Sequence, residues 1–272
     1  MIPLVGCDPE IFVFNKEENR HVSAFGLVQG TKDLPHPVKD GMVQVDGMAL
    51  EFGIDPAASE DEFFLKIKSV LNQLQVMLPK HLMLDFKSSV IFDKDIIDAQ
   101  PPEALELGCD PDYNCYTGLT NQPPQIITEG LRSAGGHIHI GWCKIEDRFS
   151  PEHLSACRAL TAAMDEEVGV PSLFWDLDVR RRSLYGAAGA FRPKVYGMEY
   201  RTTSNQWLLK EEYIRYVYRK TVSTFQKLTD NNFNFKSKKY FGDRLTLSAR
   251  DVVNNGFGLI GRAMYEGDQK NV

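Results

Sequence analysis

Two of the six histidines, His137 and His139, stand one residue apart in the segment SAGGHIHIGW, residues 133–142. Alternate residues of a strand point to the same face, so both imidazoles are predicted on one side of a short strand. Neutral imidazole is a common metal ligand and can also donate hydrogen bonds to phosphate. Gly135 and Gly136 lack side chains, which would let a ligand approach the backbone closely. The segment therefore predicts a ligand-binding strand, and a pair of surface histidines is the alternative.

Acidic residues occur in two further strand-like segments. In GCDPEIF, Asp8 and Glu10 are predicted to share one strand face. In DGMALEF, Glu51 lies between apolar neighbours and follows Asp46 in the same segment. Burying like charges without a cation costs roughly several kcal/mol per ion. Each carboxylate is therefore predicted either to face solvent or to bind a cation.

A fourth segment, RRRSLYGAAGAFRPKVYGMEYR at 180–201, combines cationic side chains with glycines. Within it, Glu199 and Arg201 are predicted on one strand face. A run of charges is usually a solvated surface, but interleaved glycines make a phosphate-binding surface more plausible. The cationic candidates are Arg182, Arg192, Lys194 and Arg201.

The four segments together offer oxygen ligands, imidazole and arginine. Such hard ligands suit Mg²⁺ or Mn²⁺ better than structural zinc, which prefers thiolates. Metal ions combined with arginines are what phosphoryl transfer requires, because that chemistry depends on positioning and charge neutralisation. The sequence contains neither a P-loop motif nor the protein-kinase motifs. The predicted metal ligands are Asp8, Glu10, Glu51, His137 and Glu199.

Composition excludes several classes of protein. The 272 residues carry a formal charge of −6 and no basic block, so a nucleic-acid partner is not predicted. No run of apolar residues is long enough to span a membrane, and the first residues do not predict a signal peptide. The five cysteines are widely spaced without a C-x-x-C motif, which indicates reduced thiols and favours a cytoplasmic location.

Strand and helix signals mix along the chain without regular βαβ alternation. Strands are predicted at the N-terminus, over 42–54 with a break near Gly47, and up to residue 141. A first helix is predicted after Ser59, a second is predicted to run to about residue 168, and a third is predicted over 205–228. The helix starts are indicated by Ser59 with Glu62, by Ser150 with Pro151, and by Thr203 or Ser204. This pattern favours an α+β fold with a largely antiparallel sheet, in a single domain over 1–272.

The order of these segments resembles that of the glutamine synthetase and glutamate–cysteine ligase superfamily, and most closely its compact phage-type COOH–NH2 ligases (amidoligases). The resemblance implies two or three Mg²⁺ or Mn²⁺ ions, and it places Glu10 and Glu51 on a first metal, with Asp46 as a further candidate. It implies a second metal on the residues Asp8, His137 and Glu199. It implies phosphate contacts for His139, Arg182, Arg192 and Lys194, with Arg201 stabilising the transferring phosphoryl group. The fold it implies is a sheet curved into a half-barrel or funnel, with helices on its outer face.

The resemblance also implies a chemistry. ATP with Mg²⁺ or Mn²⁺ would activate a carboxylate as an acyl phosphate, and an amine would then displace phosphate to form an amide. Small-molecule or peptide carboxylates and amines are the implied partners, in the host cytoplasm if the protein is phage-encoded. Arg132, shortly before His137, is a candidate clamp for the substrate carboxylate, and a surface arginine is the alternative. Lys32 in GTKD is a further candidate for a phosphate contact.

Two alternatives to the ligase remain. A cupin-type metalloenzyme would use the two histidines with a following glutamate, here Glu146. A catalytically inactive binding or virion-associated protein on the same fold is the other. In the ligase hypothesis, Glu51→Gln and Glu199→Gln should each abolish Mg²⁺-dependent ATP turnover. Each should leave the metal-free melting temperature unchanged or raised, because each removes a repelling carboxylate.

Overall fold

The computed structural model describes residues 2–105, 112–121 and 128–230, together with 240–241, 246–247, 250 and 253. Within these ranges, antiparallel sheets and packed helices confirm the predicted α+β class. The described strands form separate sheets and no closed barrel. The finer half-barrel arrangement stays a prediction. Most of the last forty residues, predicted as loop with short helices, lie outside the described ranges.

One sheet has five strands in the order β1-β11-β13-β12-β9, with strands numbered along the chain. Its strands are β1 (Leu4–Cys7), β9 (Tyr113–Asn114), β11 (Ile138–Gly141), β12 (Ala190–Lys194) and β13 (Gly197–Tyr200). Neighbouring strands are antiparallel, and their register sets His139 opposite Glu199 and Arg192 opposite Glu199. This sheet therefore gathers the histidine segment and the arginine segment.

A second sheet follows the order β3-β2-β6-β5-β4, with β7 also paired to β2. Its strands are β2 (Glu10–Asn15), β3 (Arg20–Val22), β4 (His36–Val38), β5 (Gly41–Asp46), β6 (Ala49–Ile54) and β7 (Leu82–Asp85). A separate pair joins β8 (Ser89–Ile91) to β10 (Leu131–Ser133), and β14 (Tyr240–Phe241) pairs with β15 (Thr246–Leu247). The predicted break near Gly47 is the β5–β6 turn, where Gly47 has a positive φ of 57°.

The two main sheets meet where the first predicted strand is interrupted. β1 ends at Cys7 and β2 begins at Glu10, with Asp8 and Pro9 between them. The Glu10 amide donates to the Gly135 carbonyl at 2.9 Å, and the Phe52 amide donates to the Pro9 carbonyl at 3.2 Å. The single face predicted for the first segment is thus broken, and its two carboxylates reach different neighbours.

Helices cover the sheets. They are α1 (Glu60–Met77), α2 (Lys94–Asp98), α3 (Pro102–Leu105), α4 (Pro151–Met164), α5 (Val170–Ser172), α6 (Val179–Leu184) and α7 (Glu211–Thr229). The predicted cap of α1 is confirmed, since the Glu62 amide donates to Ser59 Oγ at 3.2 Å. Helix α1 packs on α7 and on β5 and β6, while α4 packs on β12 and β13. Burial of these apolar helix faces is the main stabilising contribution.

Two predicted helices differ from those observed. The helix predicted to reach residue 168 changes at Asp165–Gly169 to a π-helical turn before α5. The helix predicted over 205–228 begins as a 3₁₀ helix, Asn205–Leu209, and α7 starts anew after Lys210. Such irregular helical turns shift side chains relative to a regular helix.

The π-helical turn places one buried carboxylate beneath the arginine strand. Asp165 accepts hydrogen bonds from the Tyr200 hydroxyl at 2.7 Å, the Tyr116 hydroxyl at 2.8 Å and Thr202 Oγ1 at 3.2 Å. Tyr200 and Thr202 flank Arg201, so this carboxylate anchors the backbone on both sides of that arginine. Burial raises the pKa of Asp165 to about 6, although the three hydroxyl donors oppose that rise.

Asp165→Asn should reduce the change in the free energy of unfolding between about pH 4 and pH 7. The folded-state pKa of about 6 exceeds the usual 3.8, so the stabilising effect of the bound proton is fully present below pH 3.8. It is lost as pH rises through 6. Denaturant unfolding should show the wild type losing about 2–3 kcal/mol relative to the variant between pH 4 and pH 7. Asp61→Asn, at an exposed position, should track the wild type, and parallel curves for Asp165→Asn would contradict the assignment.

Candidate functional site

Three carboxylates meet on the second sheet: Glu10, Asp46 and Glu51, here called the Glu51 cluster. Glu10 lies directly opposite Glu51 across β2 and β6, and Asp46 ends β5. One ligand oxygen from each lies within 4.8 Å of the others. Gln44 Nε2 donates to Glu51 Oε1 at 3.0 Å, and the Gly135 amide donates to Glu10 Oε2 at 2.7 Å. These bonds fix the carboxylates facing one another.

The Glu51 cluster concentrates negative charge in a recess. Enclosure by protein raises the pKa of Glu51 well above its usual range, and the negative charges of Asp8, Glu10 and Asp46 add to that rise. Enclosure and Asp46 likewise raise the pKa of Glu10. Lys32 Nζ lies 2.9 Å from Asp46 Oδ1, on a side chain that is half exposed. The cluster therefore holds more negative charge than its surroundings neutralise.

Asp8, His139 and Glu199 form a second group, here called the His139 cluster. Their ligand atoms also lie within 4.8 Å of one another. His139 Nε2 is 3.0 Å from Asp8 Oδ2. Enclosure alone would raise the pKa of Asp8, but His139 and His137 outweigh it and hold that pKa well below its usual range. Burial lowers and Asp8 raises the pKa of His139, with a net rise.

Cations surround Glu199, which is fully buried. Lys194 Nζ lies 2.9 Å and Arg192 Nη1 3.5 Å from Glu199 Oε2, and Arg201 donates to Glu199 Oε1. Burial and the nearby Asp8 would raise the pKa of Glu199, but Arg201 and the two histidines lower it to about 2. The His139 cluster is thus neutralised by the chain itself, unlike the Glu51 cluster.

His137 lies between these charged groups. Its Nδ1 is 3.3 Å from Asp8 Oδ1, 3.5 Å from Glu199 Oε1 and 3.4 Å from Arg201 Nη1. Both histidines therefore contact Asp8, although β11 begins at Ile138, so only His139 lies within the strand predicted to carry both.

The two glycines before the histidines make room for the protein's own groups, and Gly135 also lines a pocket, so the approach of a ligand to this backbone stays a prediction. A Cβ on Gly135 would lie 2.4 Å from His137 Nε2, and one on Gly136 would lie 2.2 Å from the Ser204 carbonyl oxygen. Trp207 Nε1 also donates to the Gly136 carbonyl at 3.1 Å. These glycines allow the histidine strand to pack closely on the segment after β13.

A pocket with a cavity volume of about 80 Å³ lies beside the Glu51 cluster. Glu10, Asp46 and His137 line it together with Arg132, Arg181 and Arg201, and Phe12, Met48 and Leu131 form an apolar wall. Burial lowers the pKa of Arg132, and it lowers that of Arg181 to about 10, so Arg181 stays cationic at neutral pH. The pocket therefore combines a cationic lining with an edge of carboxylates.

The structure places Arg182 elsewhere. Its Nη2 lies 3.2 Å from Asp176 Oδ2 and donates to the Asp176 carbonyl at 2.7 Å, so its guanidinium is buried in an ion pair. Its neighbour Arg181 lines the pocket and donates to the carbonyls of Thr202 at 2.8 Å and Arg201 at 3.3 Å. Helix α6 turns these adjacent arginines to different sides.

Sequence reasoning missed three neighbours of the site. Arg181 lines the pocket, whereas the sequence pattern selects its neighbour Arg182. Tyr196 stacks on His139 and its hydroxyl bonds to that ring. Asp112 Oδ2 lies 3.6 Å from Arg201 Nε. The segment GCDPE at 6–10 recurs as GCDPD at 108–112, which sets Asp112 at the position of Glu10 and is a sequence signal for it.

The donor set suits a hard divalent cation. Carboxylate oxygens dominate both clusters, with one imidazole in the second and no thiolate in either, a composition preferred by Mg²⁺ or Mn²⁺ over structural zinc. Glu146, which a cupin would need, is exposed and belongs to neither cluster. The observed histidine partners are instead Asp8 and Glu199. This arrangement differs from the two-histidine and glutamate set that a cupin site needs.

The described residues thus combine two carboxylate clusters with a pocket lined by three arginines. The family model described as phage phiEco32-like COOH.NH2 ligase-type 2 matches residues 131–240. This match confirms the resemblance predicted from the sequence and indicates a ligase of the COOH–NH2 type. Among curated proteins, none matches the chain. In the described ranges, no helix is both long and apolar enough to cross a membrane.

Glu51→Gln should raise the melting temperature in chelator at neutral pH. The pKa of Glu51 is raised by enclosure and by neighbouring carboxylates, so its ionised form opposes folding. An amide can still accept the bond from Gln44. We expect a rise of roughly 2–4 °C, the shift produced by about 1 kcal/mol in a chain of this size. A lower melting temperature would show that the cluster is already neutralised.

Glu199→Gln should lower the stability of the metal-free protein at neutral pH, which corrects the expectation that both variants leave the melting temperature unchanged or raised. The pKa of Glu199 is lowered to about 2, so its charge stabilises the fold above its usual pKa of 4.5 and is lost towards pH 2. Removing it leaves Arg201, Lys194 and Arg192 without their shared anion. We expect a loss of about 3–5 kcal/mol in unfolding free energy at pH 7. The difference from wild type should shrink in acid, and equal stability at pH 7 would refute the ion-pair network.

Proposed function

We propose that the protein is an ATP-dependent carboxylate–amine ligase that forms an amide through an acyl phosphate. The observation that carries this proposal is a pocket lined by three arginines and by two carboxylates of the Glu51 cluster, with Arg201 linking the pocket to the His139 cluster. Charge of both signs is needed in such a reaction, since phosphates and a carboxylate must be brought together and then stabilised. The proposal is supported by the ligase family matched at residues 131–240.

Two sets of residues would hold the divalent cations. Glu10, Glu51 and Asp46 would bind one ion, which neutralises the excess charge of the Glu51 cluster. The His139 cluster would bind the other. When bound, Mg²⁺ or Mn²⁺ would neutralise the β- and γ-phosphates and orient ATP. Both sites fit by donor type and by the separation of their ligand atoms.

Arg201 is the residue best placed to act on the transferring group. It contacts Glu199 in the His139 cluster and lines the pocket beside the Glu51 cluster. In the first step, a carboxylate oxygen forms a bond to the γ-phosphorus, and the bond from that phosphorus to the ADP oxygen breaks. Arg201 would stabilise the charge on the transferring phosphoryl oxygens. Arg192 and Lys194, on the same side as Glu199, would contact ATP phosphates.

The amine completes the reaction. Its nitrogen forms a bond to the acyl carbon, the carbon–oxygen bond to phosphate breaks, and inorganic phosphate leaves. The attacking nitrogen loses a proton to a base, which keeps the product neutral. The acyl substrate would occupy the pocket, where Arg132 would hold its carboxylate through a bidentate contact.

Transfer of an isotope from the substrate tests the acyl phosphate directly. A panel of ¹⁸O-labelled carboxylic acids would be incubated with ATP, Mg²⁺ and an amine, with hydroxylamine as a general trap. The expected result is carboxylate-dependent release of ADP, with one ¹⁸O appearing in inorganic phosphate and a hydroxamate as product. Label that stays out of phosphate would overturn the intermediate. A folded protein that cleaves no ATP with any acid or amine would favour the inactive binding protein.

Arg201→Lys should lower kcat about 10²–10³-fold, the usual effect of removing a donor aimed at transition-state charge. Lysine keeps a positive charge near Glu199 but loses the planar fork. The measurement is initial-rate ATP cleavage with the best acid and amine. Arg158→Lys provides a matched control, because Arg158 Nε donates to the Cys115 carbonyl at 2.9 Å away from the pocket. An equal loss in the control would point to a general structural effect.

Arg132→Gln should act mainly on substrate binding. Its guanidinium lines the pocket, and the one hydrogen bond that the described structure gives it runs to the adjacent Leu131 carbonyl at 2.9 Å. Loss of a charged clamp costs about 1.5–3 kcal/mol, which is about a 10–100-fold rise in KM for the acid. The KM for ATP should stay unchanged. A rise in the KM for ATP alone would reassign this arginine to the nucleotide.

A further inference from the structure

Arg181 is a buried cation that donates to backbone carbonyls. The residue is 1% exposed, and its two terminal nitrogens donate to the Thr202 carbonyl at 2.8 Å and to the Arg201 carbonyl at 3.3 Å. Both carbonyls come directly after Tyr200, where β13 ends. Buried carbonyls need hydrogen-bond partners. The guanidinium therefore supplies such partners at the point where the strand pairing has stopped.

Two acidic residues fix the orientation of α6, the helix that carries Arg181. Asp178 caps this helix and accepts a hydrogen bond from Ser89 Oγ on β8. Asp176 is buried, and its Oδ2 lies 3.2 Å from Arg182 Nη2. Adjacent residues of a helix point in different directions, because there are 3.6 residues per turn. Holding Arg182 on Asp176 thus leaves Arg181 on the side of the pocket.

The chain after α6 is shaped to admit this guanidinium. Gly186 has a φ of +83°, a conformation that favours glycine. A Cβ at this position would lie 2.0 Å from Arg181 Nη1 and 2.7 Å from the Thr202 carbonyl oxygen. The hydrogen bond between Arg181 and Thr202 therefore requires a residue without a side chain at 186.

The backbone that Arg181 holds is the backbone of Arg201. The Arg201 amide donates to the Ala190 carbonyl at 3.0 Å, so the sheet fixes one side of this residue and Arg181 fixes the other. From this position the Arg201 side chain contacts Glu199 and lines the pocket. A shift of the backbone at 201–202 would therefore move the Arg201 guanidinium relative to the pocket.

We infer that Arg181 is a positioning residue, whose guanidinium fixes the backbone that directs Arg201 at the transferring phosphoryl group. The inference rests on the proposed function, because the task of Arg201 is part of it. It gives Arg181 a different role from Arg132, the proposed clamp for the substrate carboxylate. A misplacement of about 1 Å caused by a change away from the reacting atoms can cost about 10²-fold in rate.

A double-mutant cycle on kcat tests this role. Arg181→Lys keeps the charge but loses the planar fork that reaches both carbonyls. We expect kcat for ATP cleavage with the best acid and amine to fall about 10²-fold, with the KM for the acid unchanged. In the Arg201→Lys background, the same change should lower kcat by no more than roughly twofold, because both substitutions remove one shared contribution.

Arg158→Lys is the matched control, because Arg158 also donates to a backbone carbonyl, that of Cys115, and it should keep the wild-type kcat. Circular dichroism and thermal unfolding identify the variants that fold. Arg181→Gln, which keeps one amide donor, replaces Arg181→Lys in the cycle if the lysine variant does not fold. Additive losses in the double variant, a raised KM for the acid, or wild-type kcat in the single variant would each overturn the positioning role.

Side-chain NMR measures the order of Arg201 without catalysis. In protein labelled with ¹⁵N-arginine, the Nε–H signal of Arg201 is the one that Arg201→Lys removes. We expect a lower order parameter for this signal in Arg181→Lys than in wild type, and no change in Arg158→Lys. An unchanged signal in Arg181→Lys would overturn the inference whether or not the protein is a ligase. Loss of order in Arg181→Lys, together with a wild type that shows no ligase activity, would overturn the proposed function and leave Arg181 as the residue that positions Arg201.

Discussion

Repulsion among enclosed carboxylates is the interaction on which the rest of this structure depends. Asp8, a member of the His139 cluster, acts on both clusters, since its charge adds to the rise in the pKa of Glu51 and opposes the fall in the pKa of Glu199. The two clusters differ in how far neighbouring cations neutralise this repulsion. Around Glu199 it supplies its own cations, whereas around Glu51 it leaves negative charge in excess. This excess lowers the free energy of unfolding, because uncompensated enclosed charge opposes folding.

Antiparallel register and one strand break convert this charge pattern into a geometry. Register sets Glu10 opposite Glu51, and it sets both His139 and Arg192 opposite Glu199. The interruption at Asp8 and Pro9 sends two carboxylates that are close in sequence to different clusters. A continuous strand would have put both on one face of one sheet. The two sites are therefore adjacent because a single segment passes from one sheet into the other.

Sequence patterns predicted the residue types of the site better than their individual contacts. Alternation identified the acidic and histidine segments, and the capping residues identified the start of α1. Alternation carries no information on where a strand is interrupted, so the separation of Asp8 from Glu10 was not predictable. The choice between Arg181 and Arg182 depended on the orientation of the short helix α6, which a run of identical residues does not encode. The close packing around Gly136 depended on a partner, Ser204, far along the chain.

The family match and the N-terminal strands contribute different halves of one site. The matched residues 131–240 carry both histidines, Glu199 and the arginines of the pocket. The carboxylates of the Glu51 cluster lie outside that range, as does Asp8. They reach the matched segment through backbone pairing, since β1 pairs with β11 and the Glu10 amide bonds to Gly135. The charges of the two halves also act on one another, since His137 lowers the pKa of Glu10 and Asp8 opposes the fall in the pKa of Glu199. The two carboxylate clusters are thus joined structurally at Asp8.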